Sequence, residues 1–353
     1  MKRILGASLG TVVVLGGLAS FAPAGQAATA GEKGGRTHVV RPGHSIQKAV
    51  DRARPGDVIK LKAGRYDGGV LIRKRLTIRG AGDETVVRPG RKDHCKKAGV
   101  PGMGFCVVGH AKHLVRGVTI KSLKVEKFKD TGVFGTYTDR LTVKHVLAAR
   151  NGEYGIAEFN STRGAFVHNR AIDNRLDAGL YVGDIKNARG TVVAHNHASG
   201  NAIGVLVRHA RHVKVLGNKL VGNCTGVALV DDGQKGGQGH TKVWKNLVEK
   251  NNRFCPGQGP VPPLGGTGIL LFGGDHNSIE KNTVKGNRGK LPYSGGIVLF
   301  PSPAQRPAHH NLIKFNLVRG NAPFDLVDNG GSDTNRFRHN SCGTSKPNGL
   351  CHH

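Results

Sequence analysis

From about residue 115 the chain alternates short apolar runs with polar punctuation at a fixed period. A small residue, a glycine and a branched apolar residue recur as Thr131-Gly132-Val133, Tyr154-Gly155-Ile156, Ala178-Gly179-Leu180, Ile203-Gly204-Val205, Thr225-Gly226-Val227, Thr267-Gly268-Ile269 and Gly295-Gly296-Ile297. The glycines step by 23, 24, 25, 22, 42 and 28 residues. The long step holds two insertions, Asp231 to His240 and Cys255 to Gly266, and shortens to the common period without them. Asparagines five apart run in phase: Asn169/Asn174, Asn196/Asn201, Asn218/Asn223, Asn246/Asn251, Asn282/Asn287 and Asn316/Asn321. Runs such as Thr191-Val192-Val193-Ala194 and Val213-Lys214-Val215-Leu216 lie between and predict strands of about four to five residues.

One architecture suits this pattern. A unit of this length is too short for two strands and a helical crossover. Asn and Gly tolerate the left-handed backbone of tight turns. An Asn above an Asn can hydrogen-bond along a stack of coils spaced at roughly 4.8 Å. The Leu-x-Leu pattern of leucine-rich repeats is missing. The expected class is therefore all-β, a right-handed parallel β-helix. Before the repeats, Ser45 is a candidate helix N-cap, with Ile46, Ala49, Val50 and Ala53 at helical spacing and Pro55-Gly56-Asp57 as the stop. A short helix there would cap the open first coil. Strands are expected at 58–61, 70–72 and 76–78.

The N-terminus changes the setting. Lys2 and Arg3 precede an apolar run, Ile4 to Leu18, and then small residues up to Ala30. This predicts a secretory signal peptide at 1–30, no membrane span after its removal, and a secreted chain. The mature part, 31–353, reads as one domain: a cap at about 38–57, coils at about 58–340 and a stapled tail at 341–353. Six cysteines in an exported chain suggest disulfides. Cys95/Cys106 and Cys342/Cys351 look like local staples, which leaves Cys224 and Cys255, although six cysteines allow 15 pairings. The net charge of +30 points to polyanionic partners such as acidic polysaccharides or anionic cell-wall polymers. Aromatics are only 5 % of residues and do not interleave with the basic ones. No nucleic-acid partner is therefore expected. The default oligomeric state is a monomer.

A resemblance sharpens this reading. Pro42-Gly43, Ser45-Ile46-Gln47-x-Ala49-Val50, Pro55-Gly56-Asp57-Val58-Ile59, Gly64-x-Tyr66 and Leu76-Thr77-Ile78-x-Gly80 resemble the start of pectin-lyase-like β-helix proteins. The stretch from Asn151-Gly152-x-Tyr154-Gly155-Ile156 to Asp177-Ala178-Gly179-Leu180-Tyr181-Val182-Gly183 is similar to β-helix repeat proteins exported by high-GC Gram-positive bacteria. The resemblance spans roughly residues 38 to 340 and implies the fold. It does not single out an activity, because that superfamily holds lyases, hydrolases, epimerases, maturation factors and adhesins. Mannuronan C-5 epimerases carry Tyr-Gly-x-Asp-Pro-His. Here Ala157 and Phe159 stand where the Asp and His would be, with Glu158 and Asn160 beside them.

Counting from each repeat glycine locates candidate chemistry. The first residue after it should point inward, and the second and fourth outward. The outward set is strongly apolar, including Tyr181, Phe159, Leu206 and Leu270, so it is either a sugar-stacking groove or a face covered by a loop. The fifth position reads Asp184, His209 and Asp231 on three consecutive coils, with Arg208 and Tyr181 adjacent. A carboxylate beside a His orients the ring, and Arg can neutralise a substrate carboxylate. Such a set could abstract a proton α to that carboxylate, the step shared by uronate lyases and C-5 epimerases. The competing reading is a polar turn. Catalytic candidates are Asp184, His209, Asp231 and Arg208; substrate-binding candidates are Tyr181, Phe159, Tyr154 and Glu158. Asp184 with Asp231 or Asp232 is an alternative Ca²⁺ site. Asp173 and Asp177 read as a solvated turn, and His195 and His197 as turn histidines. The expected function is action on an acidic polysaccharide by lyase or C-5 epimerase chemistry, the alternative a non-catalytic module that binds polyanionic glycans or the cell wall.

Overall fold

The computed structural model describes residues 35–259 and 261–351; the signal peptide expected at 1–30 lies outside them. The described chain coils into a parallel β-solenoid. One face is an 11-stranded parallel sheet running from Val70–Ile72 to Ser345–Lys346, one strand per coil. Most of the other strands form a 21-stranded assembly that bends at a corner, and the rest form three two-stranded pairs. In early coils the strand continues around that corner, as in Thr142–Ala149, with His145 in the left-handed region (φ 52°). In later coils it splits, as in Ala165–Val167 and Arg170–Ile172, with Asn169 between.

Register converts the sequence period into stacked rows. Val133, Ile156, Leu180, Val205, Val227, Ile269 and Ile297 pair in sequence across adjacent coils and are fully buried. Val143, Phe166, Val193, Val215, Val243 and Ile279 form an equivalent inward row opposite. The helix Ile46–Arg52 closes the first coil, and Ser45 Oγ accepts the Lys48 N–H at 3.2 Å. Ile46 and Val50 are buried, and the helix packs on strands Thr37–Val40, Val58–Leu61 and Val70–Ile72. The three disulfides are Cys95–Cys106, Cys224–Cys255 and Cys342–Cys351, the pairing expected. None of the described helices is long and apolar enough to cross a membrane.

The asparagines form two continuous ladders. In one, Asn169, Asn196, Asn218, Asn246, Asn282, Asn316 and Asn340 are joined side chain to side chain at 2.9–3.0 Å. From Asn196 onward each Oδ1 also accepts the backbone N–H of the asparagine one coil earlier, for example Asn196 N to Asn218 Oδ1 at 2.9 Å, and Asn169 Oδ1 accepts that of Val146. Each Nδ2 also donates to a carbonyl, as from Asn218 to Val193 at 2.9 Å. Asn218 therefore satisfies four groups away from water. Asn218→Ala should cost about 3 kcal/mol or more, because each abandoned buried group costs about 1–3 kcal/mol. Urea denaturation followed by circular dichroism checks this against exposed Lys219→Ala, expected within about 0.5 kcal/mol of the parent. Equal midpoints for the two variants would mean that the ladder contributes nothing net.

Candidate active site

The outward row of the 11-stranded sheet is not open. Ala157, Tyr181, Leu206, Ala228, Leu270 and Val298 lie side by side, yet all are buried. They form a second apolar cluster with Tyr154, Leu264 and Tyr293. The insertion beginning at Cys255 supplies part of the cover. It is an antiparallel hairpin, Phe254–Cys255 with Leu264–Gly265, tied to the coil through Cys224–Cys255. The covered-face reading holds, and a sugar-stacking groove over this row does not form.

Polar chemistry collects where this sheet ends. Gly183 pairs with Arg208; the next residues, Asp184 (φ 53°) and His209 (φ 52°), turn the corner in left-handed geometry. His209 Nδ1 lies 3.1 Å from Asp232 Oδ1 and 3.6 Å from Asp184 Oδ1. Arg208 Nε is 3.4 Å from Asp232 Oδ2, and Arg208 Nη2 is 4.0 Å from Asp184 Oδ1. Tyr181 is fully buried, and its ring lies across Gly183, where any Cβ would collide with it. Burial raises the Tyr181 hydroxyl pKa; Arg208 pulls the other way, and Asp184, Asp177 and Asp232 add to the rise. Among the described residues, seven buried side-chain polar atoms lack a hydrogen-bond partner, and five sit here: Tyr181 Oη, Asp184 Oδ1, Arg208 Nε, His209 Nδ1 and Asp232 Oδ1. The fold satisfies buried polar atoms almost everywhere else, so this concentration marks a site. Side chains of Asp184, Arg208 and Asp232 are 30 %, 31 % and 28 % exposed, forming a rim above the floor of Tyr181 and His209.

Asp231 is a correction. Its strand, Thr225–Val230, stops one residue earlier, and the chain departs into an insertion. Asp231 Oδ1 accepts the Gly233 N–H at 3.0 Å, and Asp232 takes the place expected for it. Asp184, Asp231 and Asp232 do not bring one ligand atom each within 4.8 Å of one another. The first and last face the Arg208 guanidinium and the second caps a turn, whereas Ca²⁺ takes six to eight oxygens.

The other end of the sheet carries acids outside the candidate set: Asp130 and Glu153, and Asp177, which reads from sequence as a solvated turn residue but is desolvated here. Asp130, Glu153 and Asp177 each stand two residues before a repeat glycine on successive coils. The same count run backwards from Gly132, Gly155 and Gly179 finds them. All three line a cleft of about 1190 Å³, edged by Arg91, Lys92, Lys96, Lys127, Lys129 and Arg253. Burial, then repulsion from Asp130 and Asp177, pushes the Glu153 carboxyl up to about 7. Burial lifts Asp177 to about 6, opposed by a hydrogen bond with Tyr154 and by the Arg208 charge. The Tyr154 ring lies against Tyr181, tilted by 43° with ring centroids 4.8 Å apart, so the cleft and the Arg208 cluster meet across two tyrosines.

The sequence profile described as a right-handed β-helix region matches residues 91–248. The fold is the right-handed parallel β-helix. Solved structures agree. The A-module of mannuronan C-5 epimerase AlgE4 from Azotobacter vinelandii superposes with a TM-score of 0.64 at 17 % identity, covering 85 % of this chain and 91 % of that one. DFA-IIIase from Arthrobacter chlorophenolicus A6 without its lid gives 0.53 at 16 %, covering 84 % and 91 %. Pectate lyase Pel9A gives 0.50 at 13 %, covering 88 % and 78 %. No curated protein matches the sequence.

Inward and outward alternation along this β-helix also decides the remaining candidates. Tyr154 and Tyr181 are buried in the covered row, and Phe159 is partly exposed beside them, 4.5 Å from Tyr181 between ring centroids. Glu158 is a correction. It is the third residue after Gly155, an inward position like Val182 and Val207, and is 1 % exposed. Its side chain points into the interior of the coil. Its Oε1 accepts from Thr191 Oγ1 at 3.0 Å, Oε2 has no partner, and burial pushes its pKa up to about 7. The folded state therefore holds a proton that the unfolded chain releases near pH 4.5, so Glu158 lowers stability progressively as pH rises from about 4.5 to 7. Glu158→Gln should raise the denaturation midpoint at pH 8 and lose that advantage below pH 4.5. Parallel pH profiles for the two proteins would show that Glu158 does not titrate in this way.

Proposed function

We propose that this chain is an exported enzyme that acts on an acidic polysaccharide by removing the proton α to a uronate carboxylate. The observation that carries this reading is the group of five unpaired buried polar atoms around Arg208. Arg208 would bind the substrate carboxylate and make the adjacent C–H more acidic. His209, oriented by Asp232 and Asp184, is the candidate base. Tyr181, kept protonated by burial, is the candidate acid. Loss of the β-oxygen substituent after proton removal gives a lyase. Return of a proton to the opposite face gives a C-5 epimerase. The basic edge of the adjacent cleft and the net charge of +30 suit a polyanionic chain. The fold neighbours named as epimerase and pectate lyase are compatible with this reading. Three disulfides suit an oxidising, extracellular setting.

A binding module without catalysis is the second reading, favoured by the excess of basic charge. Absorbance at about 235 nm detects unsaturated lyase product, and proton NMR detects C-5 inversion, on pectate, alginate and glucuronan with and without Ca²⁺. His209→Asn retains a residue that tolerates the left-handed corner and should lower kcat/KM by about 10²-fold or more. Gly183→Ala removes no ionisable group, but its Cβ collides with the Tyr181 hydroxyl and ring and displaces them, and should cost about 10²-fold through misplacement. Activity unchanged in both variants would remove the site from the reaction. No product on any polymer, with salt-sensitive binding retained, would establish the binding module.

A further inference from the structure

Histidines concentrate at the left-handed corners: nine of the described histidines have positive φ. Seven of these form two stacks on the outside of the coil. His145, His168 and His195 stack with ring centroids 5.3 and 5.2 Å apart. His212, His240, His276 and His310 stack at 4.8, 5.0 and 5.1 Å. Coil spacing and backbone preference account for both stacks equally well.

The second stack has something the first lacks. Asp275 precedes His276, and the His240 N–H donates to the Asp275 carbonyl at 3.0 Å, which places the two turns in contact. One ligand atom from each of His240, Asp275 and His276 lies within 4.8 Å of the others. His276 Nδ1 is 3.1 Å from Asp275 Oδ1. Arg211 donates two hydrogen bonds to the Asp275 carboxylate and fixes its orientation, as partners of metal-ligating carboxylates do. One coil further on, His309 Nδ1 and His310 Nδ1 approach to 2.8 Å, so more imidazole nitrogen is close at hand. His240 and His276 are exposed, which leaves the position open to an arriving ion.

We propose that His240, Asp275 and His276 bind a borderline transition-metal ion of the Zn²⁺, Cu²⁺ or Ni²⁺ class. Two imidazoles and one carboxylate are the donors such ions prefer. Ca²⁺ and Mg²⁺ require more oxygen ligands than the corner offers. Three protein donors leave a coordination position for water or an external ligand, as in open rather than structural sites. None of the three ligands belongs to the Arg208 cluster, and zinc binding is read without any polysaccharide, so the test does not rest on the proposed activity.

The experiment is equilibrium dialysis of the full mature chain against Zn²⁺ alone, with bound metal counted by mass spectrometry. His240→Asn and His276→Asn keep a residue that accepts positive φ, and circular dichroism confirms that they fold. One zinc per chain is expected, with at least tenfold weaker binding in the double variant. His145→Asn with His168→Asn, which alters the stack without a carboxylate, should leave affinity unchanged. Undiminished zinc binding in the His240/His276 variant would overturn the proposal. So would equal weakening by the control pair, or no binding by the parent.

Discussion

Each ladder asparagine has two side-chain donors and an acceptor to satisfy away from water, and it can do so only with the coils directly above and below. That requirement sets the geometry of everything outside it. The side-chain contacts hold at 2.9–3.0 Å over seven consecutive asparagines, from Asn169 to Asn340. An insertion therefore cannot shift the register; it must bulge outward and return. The Asp231 and Cys255 insertions both do so, and pairing resumes at Lys242–Trp244 and Thr267–Phe272 as though nothing intervened. Function can then be placed on insertions and corners without disturbing the inner rows.

This division explains where the unpaired polar atoms lie. Inside, Glu158 and Thr225 are the exceptions, with one orphaned oxygen each. Outside, the remaining five gather where the strand Ala178–Ile185 and its neighbour turn a left-handed corner beneath an insertion. Two carboxylates, a guanidinium and an imidazole face one another at 3.1–4.0 Å without aligned hydrogen bonds. Such a cluster is electrostatically satisfied but geometrically loose. A bound carboxylate could enter it by exchanging places with Asp184 or Asp232 at Arg208, at little cost in unpaired charge.

Period and alternation made the fold readable. The repeat glycines and the paired asparagines follow from spacing alone, because a solenoid relates neighbouring coils by a near-constant number of residues; the cysteine pairing rests on which cysteines flank one loop or the tail, with other pairings left open. The site was only partly readable for the same reason. Asp184, His209 and Arg208 lie on regular coils and were found. Asp231 was chosen over Asp232 because the count assumes that the strand continues, and this one ends at Val230. Glu158 attracted attention as a polar neighbour of Tyr154, although the alternation that placed Ile156 inward places it inward too. Whether the apolar row was covered depended on where a hairpin folds back, and no count along the chain contains that contact.

The acids before the repeat glycines and the basic groups around them bear on how a strongly cationic protein could still catalyse. Positive charge alone would hold a polyanion without transforming it. At this sheet the charge is not uniform: Glu153 and Asp177 sit within a ring of Lys and Arg, yet burial keeps their pKa values near 7 and 6 instead of letting the cations lower them. The basic edge and the carboxyls whose pKa values lie near neutrality share this cleft, and the Tyr154 and Tyr181 rings, with centroids 4.8 Å apart, lie between it and the Arg208 cluster. The covered aromatic row thus has a role beyond stability. It lowers the local dielectric between the two polar ends, which strengthens the pull of Arg208 on Asp177 and keeps the Tyr181 proton in place.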